Sequence, residues 1–150
     1  MPTALIAFIA LTVAGLLIHL LCMRILAWRG VTVRRTKFGL TLLFDTADDD
    51  GTPVRMLNVN GAFQSVAYAT DELWSELACE YQREQACIVS ELPRLSRAAV
   101  IGGGGFSFPK WLVVHLPPVA VSVVEIDEKI IDIARESFGL ARLEREYAGT

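Results

Sequence analysis

The sequence predicts an α/β protein with three parts in order: an apolar membrane-spanning helix, a small antiparallel β-unit, and the beginning of a parallel β-α-β-α sheet. Three observations predict it. Residues Met1 to Ala27 include 21 hydrophobic residues. The stretch up to residue 69 holds short β-prone runs separated by strong turn signals. Beyond residue 98, continuous β-branched runs alternate with amphipathic helical patterns, and the first of them leads straight into four glycines. The expected boundaries are 1–30 for the anchor and its basic flank, 31–69 for the β-unit, 70–97 for a helix and linker, and 98–150 for the partial parallel sheet.

Ala4 to Met23 is 20 residues without a formal charge. At about 1.5 Å per residue this reaches roughly 30 Å, the thickness of a bilayer's hydrocarbon core. Nothing basic precedes it and no small-residue cleavage site follows, which argues against a removed signal peptide. Trp28 is an interfacial residue type, and Arg24, Arg29, Arg34, Arg35 and Lys37 follow the apolar run. The positive-inside rule then places the carboxyl side in the cytoplasm. The expectation is a single-pass protein of the cell membrane, anchored through residues 4–23, with a cytoplasmic soluble part.

Composition narrows the function. The whole chain is 53% hydrophobic, and outside the first segment the share falls to that of an ordinary soluble domain. Disorder and a multi-pass membrane architecture are excluded. Residues 31–150 carry 12 bases against 17 acids, a net −5, so no nucleic-acid partner is expected. Cys22, Cys79 and Cys87 give neither a zinc spacing nor a disulfide framework, and no metal site is expected.

Within the β-unit, Phe38 to Asp45 is a strand pattern and Asp48-Asp49-Asp50-Gly51-Thr52-Pro53 a turn cluster. Val54 to Asn58 is the next strand, Asn60-Gly61 a hairpin turn, and Ala62 to Ala67 the return, about three strands in all. Thr70 is the expected cap of a helix opening at Asp71-Glu72 and ending before Pro93. Leu73, Trp74, Leu77, Ala78, Tyr81 and Ile88 fall on its apolar face.

Ala98 to Ile101 reads as a buried strand. Gly102-Gly103-Gly104-Gly105 follows, and Ser107 can cap a helix beginning at Phe108-Pro109 that Pro117-Pro118 stops. Val119 to Val124 is a second buried strand, ending in Glu125-Ile126-Asp127. Glu128 to Phe138 is an amphipathic helix with Gly139 past its end. Leu143 to Tyr147 is expected to begin a third strand.

The chemistry concentrates at the strand ends. Glycines let a backbone come close to a ligand, and free N–H groups at a helix start favour an electron-rich group. An acid at the end of the following strand, about 20 residues on, can bind ribose hydroxyls; Glu125 lies 21 positions after Gly104. A dinucleotide fingerprint fails, since Ser107 or Phe108 stands where its last glycine is required, and there is no phosphate-binding Gly-Lys-Ser/Thr motif. An adenosine compound without a pyrophosphate, such as an S-adenosyl sulfonium, suits this turn better. The bland alternative is an ordinary glycine turn.

These residues resemble the spermidine synthase (polyamine aminopropyltransferase) family over about residues 38–150. Val100-Ile101-Gly102-Gly103-Gly104 and Val123-Val124-Glu125-Ile126-Asp127 are similar to its two strand-end motifs. Val59-Asn60-Gly61-Ala62-Phe63-Gln64 resembles its Leu-Asp-Gly-x-x-Gln segment, and Asp71-Glu72 its Asp-Glu helix opening. Gly105 departs from the family's Asp, Ser75 stands nearest its substrate Tyr, and Gly105 to Lys110 resembles divergent membrane-associated members.

The resemblance implies a methyltransferase-like Rossmann domain and aminopropyl transfer from decarboxylated S-adenosylmethionine to a diamine. It implies that Gly102, Gly103 and Gly104 line the donor, that Glu125 holds its ribose, and that Gln64 approaches from the β-unit. The ligand is a co-substrate, decarboxylated S-adenosylmethionine or S-adenosylmethionine, with no tightly bound cofactor. The family's catalytic acids have no counterpart in these 150 residues, so the catalytic residues stay unassigned. The chain reads as truncated, holding the first half of a Rossmann sheet that absent sequence, a second copy or a partner chain would complete. Two other functions stay open: a non-catalytic membrane-anchored module for an adenosine ligand or a protein, and an S-adenosylmethionine-dependent methyltransferase.

Overall fold

The structure is a computed structural model describing residues 2–117 and 119–148, so Pro118 of the expected helix stop, Gly149 and Thr150 lie outside the described residues. The first element, α1 (Pro2–Trp28), is apolar on all sides. Within Thr3–Trp28 an 18-residue window has a mean hydropathy of 2.6 and no buried residue. The helix is long and apolar enough to cross a membrane.

The β-unit is a four-stranded antiparallel sheet in the order β1 (Thr32–Thr36), β2 (Gly39–Ala47), β3 (Pro53–Val59) and β4 (Ala62–Tyr68). The extra strand, β1, lies at the start of the expected β-unit and carries Arg34 and Arg35. It pairs from Thr32↔Leu43 to Thr36↔Gly39, and the buried hydroxyls of Thr36 and Thr41 meet at 3.0 Å. Its arginines masked the pattern because they occupy an edge strand, where charged side chains are tolerated. The Asp48 turn forms as expected, with the Asp48 carboxylate accepting from the N–H groups of Asp50 and Thr52. The Asn60-Gly61 hairpin also forms, both residues having positive φ, +52° and +87°.

One irregularity matters for the site. Leu57 pairs with Ser65 while Asn58 pairs with Phe63, leaving Gln64 as the extra residue of a β-bulge. A bulge bends its strand and re-aims the side chain at that position.

The expected helix from Asp71 does not form. Residues 71–76 are turns and bends, and α2 spans only Glu80–Ser90. The Arg83 guanidinium donates to the carbonyls of Leu77 and Ala78. These carbonyls are thereby satisfied by a side chain, and Cys79 is extended. Ser75 and Leu77 are buried. Tyr81 and Ile88, expected in the core, are exposed; the buried face of α2 is Gln82 and Ala86.

The second sheet has two parallel strands, β5 (Arg97–Ile101) and β6 (Ala120–Val124), joined through α3 (Ser107–His115). Its inner side chains, among them Val121 and Val123, pack against the core, while Ile101 on the other face is 92% exposed. After α4 (Glu128–Ser137) comes α5 (Leu140–Glu146). The expected third strand is therefore a helix. Leu140 and Leu143, three apart, are buried on one face, and Arg142 and Glu146 pair one turn apart on the outside. Helical spacing of these residues satisfies both demands.

One apolar core joins the two units. Leu43, Leu57 and Val59 of the antiparallel sheet meet Phe106, just before α3, and Ile133 and Ala134 farther along the chain. Leu57 has no accessible surface; burial of such a side chain contributes about 2 kcal/mol. Lys110 crosses this packing. It is 2% exposed, and its Nζ donates to the carbonyl of Phe138 at 2.9 Å, capping the end of α4. Burial, assisted by the charge of Arg142, pushes its pKa down to about 8.

Candidate functional site

The carboxyl ends of β5 and β6 open onto a cavity of about 790 Å³, bounded by both sheets and by α2. That volume suits a small-molecule ligand. Gly102, Gly103, Gly104, Glu125 and Gln64 all line it. The structure thus gathers every residue expected at the site.

The glycine turn has steric reasons. A Cβ at Gly103 would lie 2.4 Å from the ring of Phe106, and one at Gly105 would lie 2.7 Å from Ser65 Oγ and 2.8 Å from the Phe138 ring. Gly105 therefore could not be Asp without displacing both neighbours, so the departure noted in the sequence is built into the packing. Phe106, not Ser107, is the N-cap of α3. It adopts the left-handed conformation at φ +56°, without a side-chain cap bond. Ser107 is buried, and its hydroxyl donates instead to the carbonyl of Val66, tying the head of α3 to β4.

Glu125 holds the turn. Its Oε2 accepts the N–H of Gly103 at 2.8 Å and of Gly104 at 3.1 Å, and its Oε1 accepts the N–H of Asp127 at 3.1 Å. Asp127, 3% exposed, caps α4 through Lys129 N–H at 3.1 Å and accepts Lys37 N–H at 2.6 Å. The two acids of one strand end thus fix different things: Glu125 fixes the glycine turn, and Asp127 fixes the β1–β2 turn against α4.

Sequence reasoning missed one wall. Tyr81, Gln82 and Gln85 of α2 line the cavity. Gln82 is nine-tenths buried, and its Oε1 is the buried side-chain polar atom left without a hydrogen-bond partner among the described residues. Such orphans are rare. No signal for it existed in the sequence, because the apolar pattern had put Tyr81 on the core side. Among the described lining residues, Glu125 is the one carboxylate.

No family model matches the chain, and no curated protein matches it. Among solved structures, one described as a probable spermidine synthase from Corynebacterium glutamicum is similar with a TM-score of 0.52 and 21% identity, over 70% of this chain. The chain covers 38% of that protein's length. The likeness shows a spermidine synthase-like fold.

Proposed function

We propose that the cavity binds an S-adenosyl ligand, decarboxylated S-adenosylmethionine or S-adenosylmethionine, with Glu125 accepting a ribose hydroxyl. The observation that carries this reading is the convergence of Glu125, the Gly102–Gly104 turn and the bulged Gln64 on one cavity at the strand ends. In this reading the Gln82 side chain, in the cavity wall, stands beside the ligand. The fold neighbour favours the decarboxylated form and aminopropyl transfer to a diamine.

In that reaction a neutral amine attacks the carbon beside the sulfonium, forming the C–N bond as the C–S bond breaks. The amine's proton passes to a base, and methylthioadenosine leaves. Alignment accounts for much of such a rate, and the cavity walls described above supply the alignment of the donor. Glu125 already accepts three hydrogen bonds and is a poor base for the amine. That observation favours a second reading, in which this chain is a binding module without turnover. Incubation with decarboxylated S-adenosylmethionine and putrescine, alongside S-adenosylmethionine with a panel of methyl acceptors, separates the readings. Spermidine identifies a synthase, methylated product a methyltransferase, and binding without product the module.

We further propose that α1 anchors the protein in a cell membrane with the basic flank and the α/β part on the cytoplasmic side. The open edges and exposed outer face of the β5–β6 sheet are proposed to receive further polypeptide, from a second copy or a partner chain.

A further inference from the structure

Glu125 occupies the place where a glycine turn would hold an anion. The free N–H groups of such a turn ordinarily bind phosphate or carboxylate. Here the N–H groups of Gly103 and Gly104 both donate to Glu125 Oε2, and Oε1 takes Asp127 N–H. A phosphate brought to this turn would find those amides engaged and would face a like charge. A carboxylate has about four lone-pair sites, so three accepted bonds leave one, on Oε1, open to a hydroxyl donor.

We propose that Glu125 is a built-in anion plug, which makes the cavity select ligands presenting O–H or N–H groups and reject phosphorylated ones. The site then takes a nucleoside or its sulfonium in preference to a nucleotide. Only the nucleoside half of this statement rests on the adenosyl reading above; the exclusion of phosphate rests on the turn itself. Removing the carboxylate should turn the glycine turn back into an anion site.

The test is calorimetry on the full chain in detergent or nanodiscs, with 5′-methylthioadenosine, AMP and inorganic pyrophosphate as probes. The wild type should bind methylthioadenosine at least about tenfold more tightly than AMP, a difference of about 1.4 kcal/mol, and give no heat with pyrophosphate. Glu125→Ala should lose methylthioadenosine affinity and gain pyrophosphate binding. Glu125→Gln keeps the size and an acceptor oxygen, and should narrow the gap between methylthioadenosine and AMP. A folded Glu125→Ala protein without pyrophosphate binding would overturn the proposal, as would a wild type that binds AMP as tightly as methylthioadenosine. If Glu125→Ala does not fold, an unchanged ratio in Glu125→Gln overturns it. Pyrophosphate gained by Glu125→Ala, with no nucleoside bound by the wild type, would uphold the plug and sink the adenosyl reading.

Discussion

Glu125 closes on Gly103: its Oε2 accepts the glycine's N–H at 2.8 Å, joining the end of β6 to the turn after β5. This bond sets the shape of the cavity floor before any ligand arrives. The same carboxylate also takes Gly104 N–H, so the turn and the acid are one unit, and a change in either alters both.

The turn has no room for a side chain. Gly103→Ala drives a methyl group into the Phe106 ring, 2.4 Å away. The expected cost is about 1–3 kcal/mol, typical of overpacking, read as a lower urea midpoint. A Gly103→Ala protein as stable as the wild type would show that the Phe106 ring is free to move.

Gln82 separates stability from binding. Its Oε1 gains nothing in the ligand-free protein, so Gln82→Leu should leave stability unchanged or raise it by up to about 1 kcal/mol. Ligand affinity should fall by about tenfold, because the substitution removes a polar amide from the cavity wall. Equal affinity in Gln82→Leu would remove this residue from the site.

Asp127 has two bonds to lose. Asp127→Ala removes the cap at Lys129 N–H and the acceptor of Lys37 N–H, and should cost about 2–3 kcal/mol. Thermal unfolding measures it. An unaffected midpoint would mean that water replaces both bonds without loss.

Lys110 gives stability a pH dependence with a definite sign. Below pH 8 the folded protein carries a buried ammonium and its full cost. Between pH 8 and 10.5 the folded lysine is neutral while the unfolded chain still binds the proton, so stability rises with pH. The shift from 10.5 to about 8 corresponds to about 3 kcal/mol at most. Denaturant unfolding across this window should show the rise, and Lys110→Met should flatten it. A wild-type profile without that rise would contradict the burial argument.

The sequence displayed the backbone-driven features well. The Asn60-Gly61 hairpin, the Asp48 turn and the two parallel strands flanking the glycine run rest on local chemistry, and each is found. Spacing and resemblance singled out Glu125 and Gln64, and both line the cavity, although the bulge at Gln64 comes from strand pairing. Features set by distant partners were not legible. Arg83 reaches back to the carbonyls of Leu77 and Ala78 and replaces the first turns of the expected helix. Leu143 takes helical spacing because Leu140 and the core fix it there. Gln82 entered the cavity wall only once α2 started late and turned it inward.

The central claim is that the cavity holds an adenosyl ligand through Glu125. Titration of the full chain, in detergent or nanodiscs, with decarboxylated S-adenosylmethionine tests it most directly. The account predicts a saturable single-site heat that disappears in Glu125→Ala. Absence of heat at millimolar ligand, or equal affinity in the wild type and a folded Glu125→Ala protein, would contradict it.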